Sequence, residues 1–259
     1  MKVLYFDCIS GAAGDMLVAS LLDSGVDFEK IKEDINKLNL NVELKLEEKE
    51  VNGIKAKRFI VIENEHHHEH DHDNEHSHEH ENGHHHHRTF KDIRQMIEES
   101  SLNDFIKNLS IKIFEKIASA EAKVHGKSIE DVAFHEVGAV DSIVDIVSFA
   151  SCIDFIKPDQ ILFSNLYDGK GLTKSMHGII PIPAPAVLEI AKQNNLPIGI
   201  RNIEMELITP TGIGIAAAVA EGFCDMPLMV IEKIGYGAGS RELKTPNVIR
   251  VVFGEKKTQ

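Results

Sequence analysis

Residues 2–15 read Lys2-Val-Leu-Tyr-Phe-Asp7-Cys-Ile-Ser10-Gly-Ala-Ala-Gly-Asp15, and this stretch decides the class of fold. Lys2–Phe6 is a short apolar run suited to a buried strand. Ser10-Gly-Ala-Ala-Gly14 has the small residues of a tight turn, and Met16–Asp23 continues as a helix ended by Ser24-Gly25. Strand, glycine turn and helix form a unit that puts ligand groups at the carboxyl end of a strand, beside the free amides of a helix N-terminus. Asp7 and Asp15 flank the turn, and two carboxylates there can hold a divalent cation. The alternative is purely structural: Gly11 and Gly14 make the turn and Asp15 caps the helix.

Outward from this unit, Asp27 is an N-cap for a helix to about Leu38, with Ile31, Ile35 and Leu38 on one face. Val42, Leu44 and Leu46 alternate with polar residues, and Ile54, Ala56, Phe59 and Val61 continue after Asn52-Gly53, which predicts a hairpin. Thr89 is the next N-cap, with helices over about 90–100 and 103–125. Further helices are expected over Gly138–Ile156, Pro185–Asn194 and Thr209–Ala220, and strands over Ile161–Tyr167, Leu228–Ile234 and Val248–Phe253. The fold class is therefore α/β, or mixed α+β, with strands alternating with helices around one hairpin.

Between hairpin and helix lies a different kind of sequence. Twelve of the fifteen histidines fall between His66 and His87: His66, His67, His68, His70, His72, His76, His78, His80, His84, His85, His86 and His87. Residues 63–87 also carry eight acidic side chains and no Lys or Arg. Removing those eight charges from the net −13 leaves −5 for the remainder. Such a segment has too little apolar surface to pack, so a flexible His-rich loop is expected over 63–88. It divides the main domain into a strand-helix-hairpin part, 1–62, and a remainder, 89–254. Imidazole suits nickel, copper and zinc, but a flexible loop imposes no single geometry, so the tract reads as a metal store rather than a reaction centre.

Composition excludes several classes. The acidic balance and the absence of Trp argue against a nucleic-acid partner. The longest apolar runs, such as Ile213–Ala220, are far too short to span a membrane, and MKVLYFDCIS is no signal peptide, so a cytoplasmic protein is expected. Cys8, Cys152 and Cys224 are widely spaced, which indicates neither a disulfide framework nor a cysteine-rich zinc site.

Four further constellations carry chemistry. His135-Glu136-Val-Gly-Ala-Val-Asp141-Ser-Ile-Val-Asp145 puts Asp141 and Asp145 on one helix face behind a His–Glu pair, amid Val137, Val140, Ile143, Val144 and Ile146. A charge in such apolar surroundings is costly unless paired or metal-bound. The alternative is an acidic helix start favoured by the macrodipole. Lys170 and His177 lie in a Gly-rich loop stiffened by Pro181, Pro183 and Pro185, which suits an anionic substrate. Thr209-Pro210-Thr211-Gly212 is a strong helix start whose amides can meet phosphate, although capping explains most of it. Gly235-Tyr-Gly-Ala-Gly-Ser-Arg241 can clamp an anion through Arg241 but lacks the helix of a dinucleotide fingerprint.

Taken together, FDCISGAAGDMLVASLLDSG, FHEVGAVDSIVDI, GLTKSMHGIIPIPAPAVLEI, ELITPTG and GYGAGSRE resemble the LarC-type nickel insertion protein family, in the same order and with a His-rich loop in the same place, from Lys2 to Gly254. The resemblance implies insertion of nickel into a sulfurated pyridinium mononucleotide. The product is the nickel-pincer cofactor of lactate racemase-type enzymes, and the reaction depends on CTP with Mg or Mn. It further implies that the CTP site belongs to a C-terminal ferredoxin-like domain not found in this chain. A partner polypeptide then supplies that domain, or the chain is a fragment; a lactate racemase-type apoenzyme stands downstream, and a homo-oligomer stays open. Residue chemistry assigns Asp7, Asp15, His135, Glu136, Asp141 and Asp145 to the reaction centre and Lys170, His177, Thr209, Thr211 and Arg241 to substrate or nucleotide contacts, with the tract histidines binding metal. Two other readings remain: a nickel storage or metallochaperone protein without catalysis, and a metal-dependent hydrolase using Asp7, Asp15, His135 and Asp145.

The store reading is directly testable. Excision of residues 64–87 is expected to leave the circular dichroism spectrum and thermal transition unchanged while lowering the nickel bound per chain in equilibrium dialysis. Loss of the folded state on excision would contradict it.

Overall fold

The computed structural model describes residues 1–63, 88–132, 134, 139–176, 178–243 and 245–257. The histidine tract, His135, Glu136 and His177 lie outside the described residues. In chain order the elements are β1 (Lys2–Asp7), α1 (Gly14–Asp23), α2 (Phe28–Asn36), β2 (Val42–Val51), β3 (Ile54–Glu63), α3 (Phe90–Glu99), α4 (Asp104–His125) and α5 (Val140–Ile156). They continue with β4 (Gln160–Phe163), β5 (Leu166–Asp168), β6 (Gly171–Ser175), β7 (Gly178–Ile182), α6 (Pro185–Gln193), β8 (Ile198–Ile200), α7 (Pro210–Val219), β9 (Gly222–Phe223), β10 (Met229–Ala238) and β11 (Val248–Lys256).

The fold is mixed α/β. Seven strands form one sheet in the order β2-β3-β10-β11-β1-β4-β9, with β1 antiparallel to β11 and parallel to β4. Pleating sends Leu4 and Phe6 into the main core with the helices, and Val3 and Tyr5 to the opposite face beside Leu162. Phe6 stacks on Phe163 and meets Phe149 at a tilt, so the central strands and α5 share one aromatic cluster. Helix α1 is buried along most of its length because it lies directly across β10, β3 and β11.

Local chemistry sets the element boundaries. Asp27 accepts the Glu29 amide at 3.0 Å, Thr89 and Asp92 form a capping box, and Thr209 accepts the Gly212 amide with Pro210 in the first helical turn. The β2–β3 hairpin turns at Asn52-Gly53, both at positive φ.

Three expectations need correction. The strand expected over Ile161–Tyr167 breaks at Ser164-Asn165 into β4 and β5, which join different sheets. There the Ser164 amide binds the Phe6 carbonyl and its hydroxyl accepts the Cys8 amide, so the chain leaves the main sheet to serve the loop after β1. The Lys170–Pro185 loop contains a regular hairpin, β6–β7, in which Leu172 faces Pro181. The glycine-rich 235–241 segment is largely the end of β10. Its glycines are needed because α1 lies so close: a Cβ on Gly237 would stand 1.9 Å from the Met16 carbonyl oxygen, and one on Gly235 2.1 Å from that of Ser20. Among the described residues no helix is long and apolar enough to cross a membrane.

This packing predicts a contrast between two glycines. Gly237→Ala must separate α1 from β10 and is expected to cost about 3 kcal/mol in urea unfolding. Gly53→Ala, at φ +81° but in open space, is expected to cost only about 1 kcal/mol.

Candidate functional site

The loop after β1 is fixed by a second loop that approaches it from the far end of the chain. The Ala12 amide donates to the Leu207 carbonyl and the Thr209 amide to the Ala12 carbonyl, each at 2.9 Å, giving a short parallel bridge between residues 12 and 208. The approach tolerates no side chain at Gly11 (φ +94°) or Gly212, where a Cβ would fall 2.0 and 2.1 Å from backbone carbonyl oxygens. Asp168, fully buried at the end of β5, holds the second loop from behind: one carboxylate oxygen accepts the amides of Leu207 (2.7 Å), Gly169 (2.8 Å) and Ile208 (3.2 Å). Burial pushes its carboxyl pKa up, against the pull of those three amides.

Helix α5 then crosses α1 at its first turn. Asp145 lies against Gly14 so closely that a Cβ there would stand 2.7 Å from its carboxylate oxygen, and the Asp15 amide donates to Asp145. The N-termini of α1, α5 and α7 thus meet around a cavity of about 390 Å³. Its wall includes Gly14, Asp15, Asp141, Ser142, Asp145, Glu206, Thr209 and Thr211, with Arg58–Val61 of β3 on the other side. A chamber of about 140 Å³ adjoins it, shares Ala13, Asp15, Glu206 and Thr209, and adds Ser10, Ser240, Arg241 and Asn247.

The two helices that bring the aspartates start on alanines, Ala13 and Ala139, neither of which supplies a side-chain cap. The start of α6, on Ala184, is uncapped in the same way, whereas α2, α3, α4 and α7 carry side-chain caps. The positive ends of α1 and α5 face the cavity with carboxylates as their nearest counter-charges.

Those carboxylates are strained electrostatically. Burial raises the pKa of Asp145 well above the usual carboxylate range, and the charges of Asp15 and Asp141 raise it further. Burial also raises Asp15; Arg58 pulls it down and Asp141 pushes it up. Among the described residues Arg58 is the one basic side chain on the wall of the larger cavity, facing three aspartates and Glu206. The hydroxyls of Thr209 and Thr211 lie 2.8 Å apart, and Arg241 contacts the Glu206 carbonyl at 3.3 Å and its carboxylate at 3.7 Å.

Of the residues singled out in the sequence, Asp15, Asp141, Asp145, Thr209 and Thr211 line the larger cavity and Arg241 lines the adjoining chamber. Asp7 lines neither: its carboxylate pairs with Arg250 across β1 and β11. Lys170 is exposed and lines neither. His135, Glu136, His177 and the tract histidines lie outside the described residues. Arg58, Asp168 and the close approach at Gly14 escaped sequence reasoning. Asp168 had one signal, an acid ending an apolar strand just before a glycine, as Asp7 does. Among the described residues no three His, Cys, Asp or Glu side chains form a ready metal cluster, so Asp15 and Asp145 offer an adjacent pair with Asp141 farther out on the rim.

The raised carboxyl of Asp145 fixes a sign. Its folded pKa exceeds the unfolded value near 4, so its contribution to stability is present at acid pH and is lost as pH rises toward the folded value. Asp145→Asn is therefore expected to raise the melting temperature at neutral pH in chelator-treated protein, with the gain shrinking toward pH 4. A gain that grows on acidification would contradict the assignment.

Comparisons with known proteins agree on one family. The family described as "Nickel insertion protein" matches residues 4–259. A protein of Acetivibrio thermocellus named "Pyridinium-3,5-bisthiocarboxylic acid mononucleotide nickel insertion protein" is 48% identical over 258 residues, 99% of this chain and 61% of its own length. Proteins of the same name from Clostridium kluyveri (48% over 259 residues, 99% of this chain and 63% of theirs) and Clostridium acetobutylicum (47% over 275 residues, 100% and 65%) match similarly. This chain thus spans about three fifths of the length of those relatives. No solved structure matches it.

Proposed function

The chain belongs to the nickel insertion protein family, and on that premise we propose that its acidic cavity is the nickel-handling site for insertion into a sulfurated pyridinium mononucleotide. The observation that carries this reading is the pair of buried Asp145 and half-buried Asp15, pressed together beside the uncapped start of α1, with Arg58 the one basic neighbour among the described residues of the wall.

In this reading nickel is substrate rather than resident cofactor. Two desolvated carboxylates repel one another and favour protonation, so an arriving divalent ion relieves the repulsion and competes with protons for the site. Asp141 on the rim completes the acidic side, and His135 and Glu136, just before α5 in sequence, are the natural further donors. The same negative field favours the cationic pyridinium ring, while Arg58 and the Thr209 and Thr211 hydroxyls suit the mononucleotide's phosphate and thiocarboxylates. A cavity near 390 Å³ is in the range of small-ligand sites.

The histidine tract follows β3, whose Arg58–Val61 line the cavity, so its twelve imidazoles are tethered close to the rim in sequence. A tethered store raises the local nickel concentration without defining the reaction geometry. CTP with Mg or Mn is then used by a part of the longer relatives that this chain does not span, the reaction runs in the cytoplasm, and the product serves a lactate racemase-type apoenzyme. A storage protein without catalysis is the competing reading, favoured by the tract itself.

One experiment separates them. Nickel incorporation into the sulfurated pyridinium mononucleotide is followed by mass spectrometry with Mg- or Mn-CTP, with and without the remaining portion of the Acetivibrio thermocellus relative added in trans. Product with the added portion is expected, and Asp145→Ala is expected to lower its yield about 10- to 100-fold while leaving the nickel bound by the tract unchanged. Bound nickel without product under either condition would favour storage.

A further inference from the structure

The acidic cavity and its adjoining chamber differ in size and in charge. The chamber, about 140 Å³, is smaller than a self-sufficient ligand pocket, which runs to roughly 300 Å³ or more. It shares Ala13, Asp15, Glu206 and Thr209 with the larger cavity, so it extends that cavity rather than standing as a separate site. Among the described residues the larger wall sets Asp15, Asp141, Asp145 and Glu206 against Arg58 alone. The chamber sets Asp15 and Glu206 against Arg241, and the Lys49 ammonium stands 2.9 Å from the carbonyl oxygen of Gly239, a residue of the chamber wall. The balance thus moves from four carboxylates against one cation to two against two.

Arg241 is placed to receive an anion. The backbone that carries it is pinned: the Asn247 side-chain amide donates to the Arg241 carbonyl at 2.9 Å, and the Gly239 amide to the Asn247 carbonyl at 3.1 Å. The guanidinium itself is half-exposed and reaches Glu206 only at 3.3 Å to the carbonyl and 3.7 Å to the carboxylate. A committed charged pair is closer, at roughly 2.7–2.9 Å. Arg250, by contrast, is spent on Asp7, and Arg58 faces the aspartates.

We propose that the adjoining chamber is the subsite for the phosphate end of a pyridinium mononucleotide, with Arg241 as the phosphate ligand, while the pyridinium ring and its thiocarboxylates occupy the larger cavity. The assignment rests on the proposed function and gives the two anionic ends of that substrate separate places. A phosphate beside the four carboxylates of the larger wall would be repelled by them and would compete for the metal. At Arg241 it meets a planar fork suited to bidentate contact. The ribose then crosses the shared wall, where the Glu206 carboxylate is an acceptor for its hydroxyls. Arg58 is left to the thiocarboxylates. So is one hydroxyl hydrogen of the Thr209–Thr211 pair, because the single bond between these hydroxyls uses only one of their two hydrogens.

The test is isothermal titration calorimetry of the full chain, treated with chelator, with two probes that differ by the phosphate alone. Nicotinamide mononucleotide is a pyridinium mononucleotide with a neutral ring substituent, and nicotinamide riboside is its nucleoside. The parent chain is expected to bind the mononucleotide about tenfold or more tighter than the nucleoside. R241M is expected to reduce that preference to about twofold or less, with nucleoside affinity unchanged, and R241K to keep part of it. R58M is expected to change both affinities alike and to keep the preference. Circular dichroism checks that each variant keeps its fold. A parent chain without the preference, a preference that survives R241M, or one that collapses in R58M instead would overturn the subsite while leaving the cavity a pyridinium site. Failure of both probes to bind would overturn that underlying reading as well.

Discussion

The candidate site depends on one close contact, the first turn of α1 against Asp145 of α5. Gly14 leaves 2.7 Å between an ideal Cβ position and the Asp145 oxygen, so any larger residue would push the two helices apart. That contact puts Asp145 beside Asp15 in a place where water reaches poorly, and the mutual repulsion follows. A fold selected for stability alone would put apolar groups or a compensating base there. Burying Asp145 against a second carboxylate is the type of local conflict that proteins keep where a ligand resolves it.

Around this contact the frame is stiff. The bridge between Ala12 and Ile208 locks the β1–α1 loop to the segment that opens α7, and Asp168 locks that segment from behind through three amides. Four chain regions far apart in sequence are thereby held at one cavity: the loop after β1, the β3 strand, the start of α5 and the start of α7. The acidic wall is thus positioned by backbone hydrogen bonds, which do not depend on the charge state of the carboxylates they carry. Asp168 is an exception, since its own ionisation is part of the clamp.

Much of the fold was legible because its signals are local. Asp27, Thr89 and Thr209-Pro210 marked helix starts by capping chemistry, Asn52-Gly53 marked the hairpin, and the apolar run of β1 marked the central strand. What escaped is what long-range contact decides. Nothing local in Ile161–Tyr167 shows that Ser164 must turn away to bind the residues after β1, nor that Gly235 and Gly237 sit inside a strand because α1 lies on them. The site divides in the same way. The i, i+4 spacing of Asp141 and Asp145 and the helix start at Thr209 pointed to residues that do line the cavity, whereas Asp7, equally acidic and equally well placed at a strand end, turns to Arg250. Arg58 sits in a strand of the hairpin with no local mark of its proximity to three aspartates.

In the proposed function the folded cavity, and not only the histidine tract, holds the cation. Isothermal titration calorimetry of nickel into the chain lacking residues 64–87, run in buffers of different ionisation enthalpy, tests it most directly. One remaining site is expected, with net proton release on binding, that disappears in the Asp15→Asn/Asp145→Asn double variant. A tract-free chain that binds no nickel, or one whose binding survives the double variant, would contradict it.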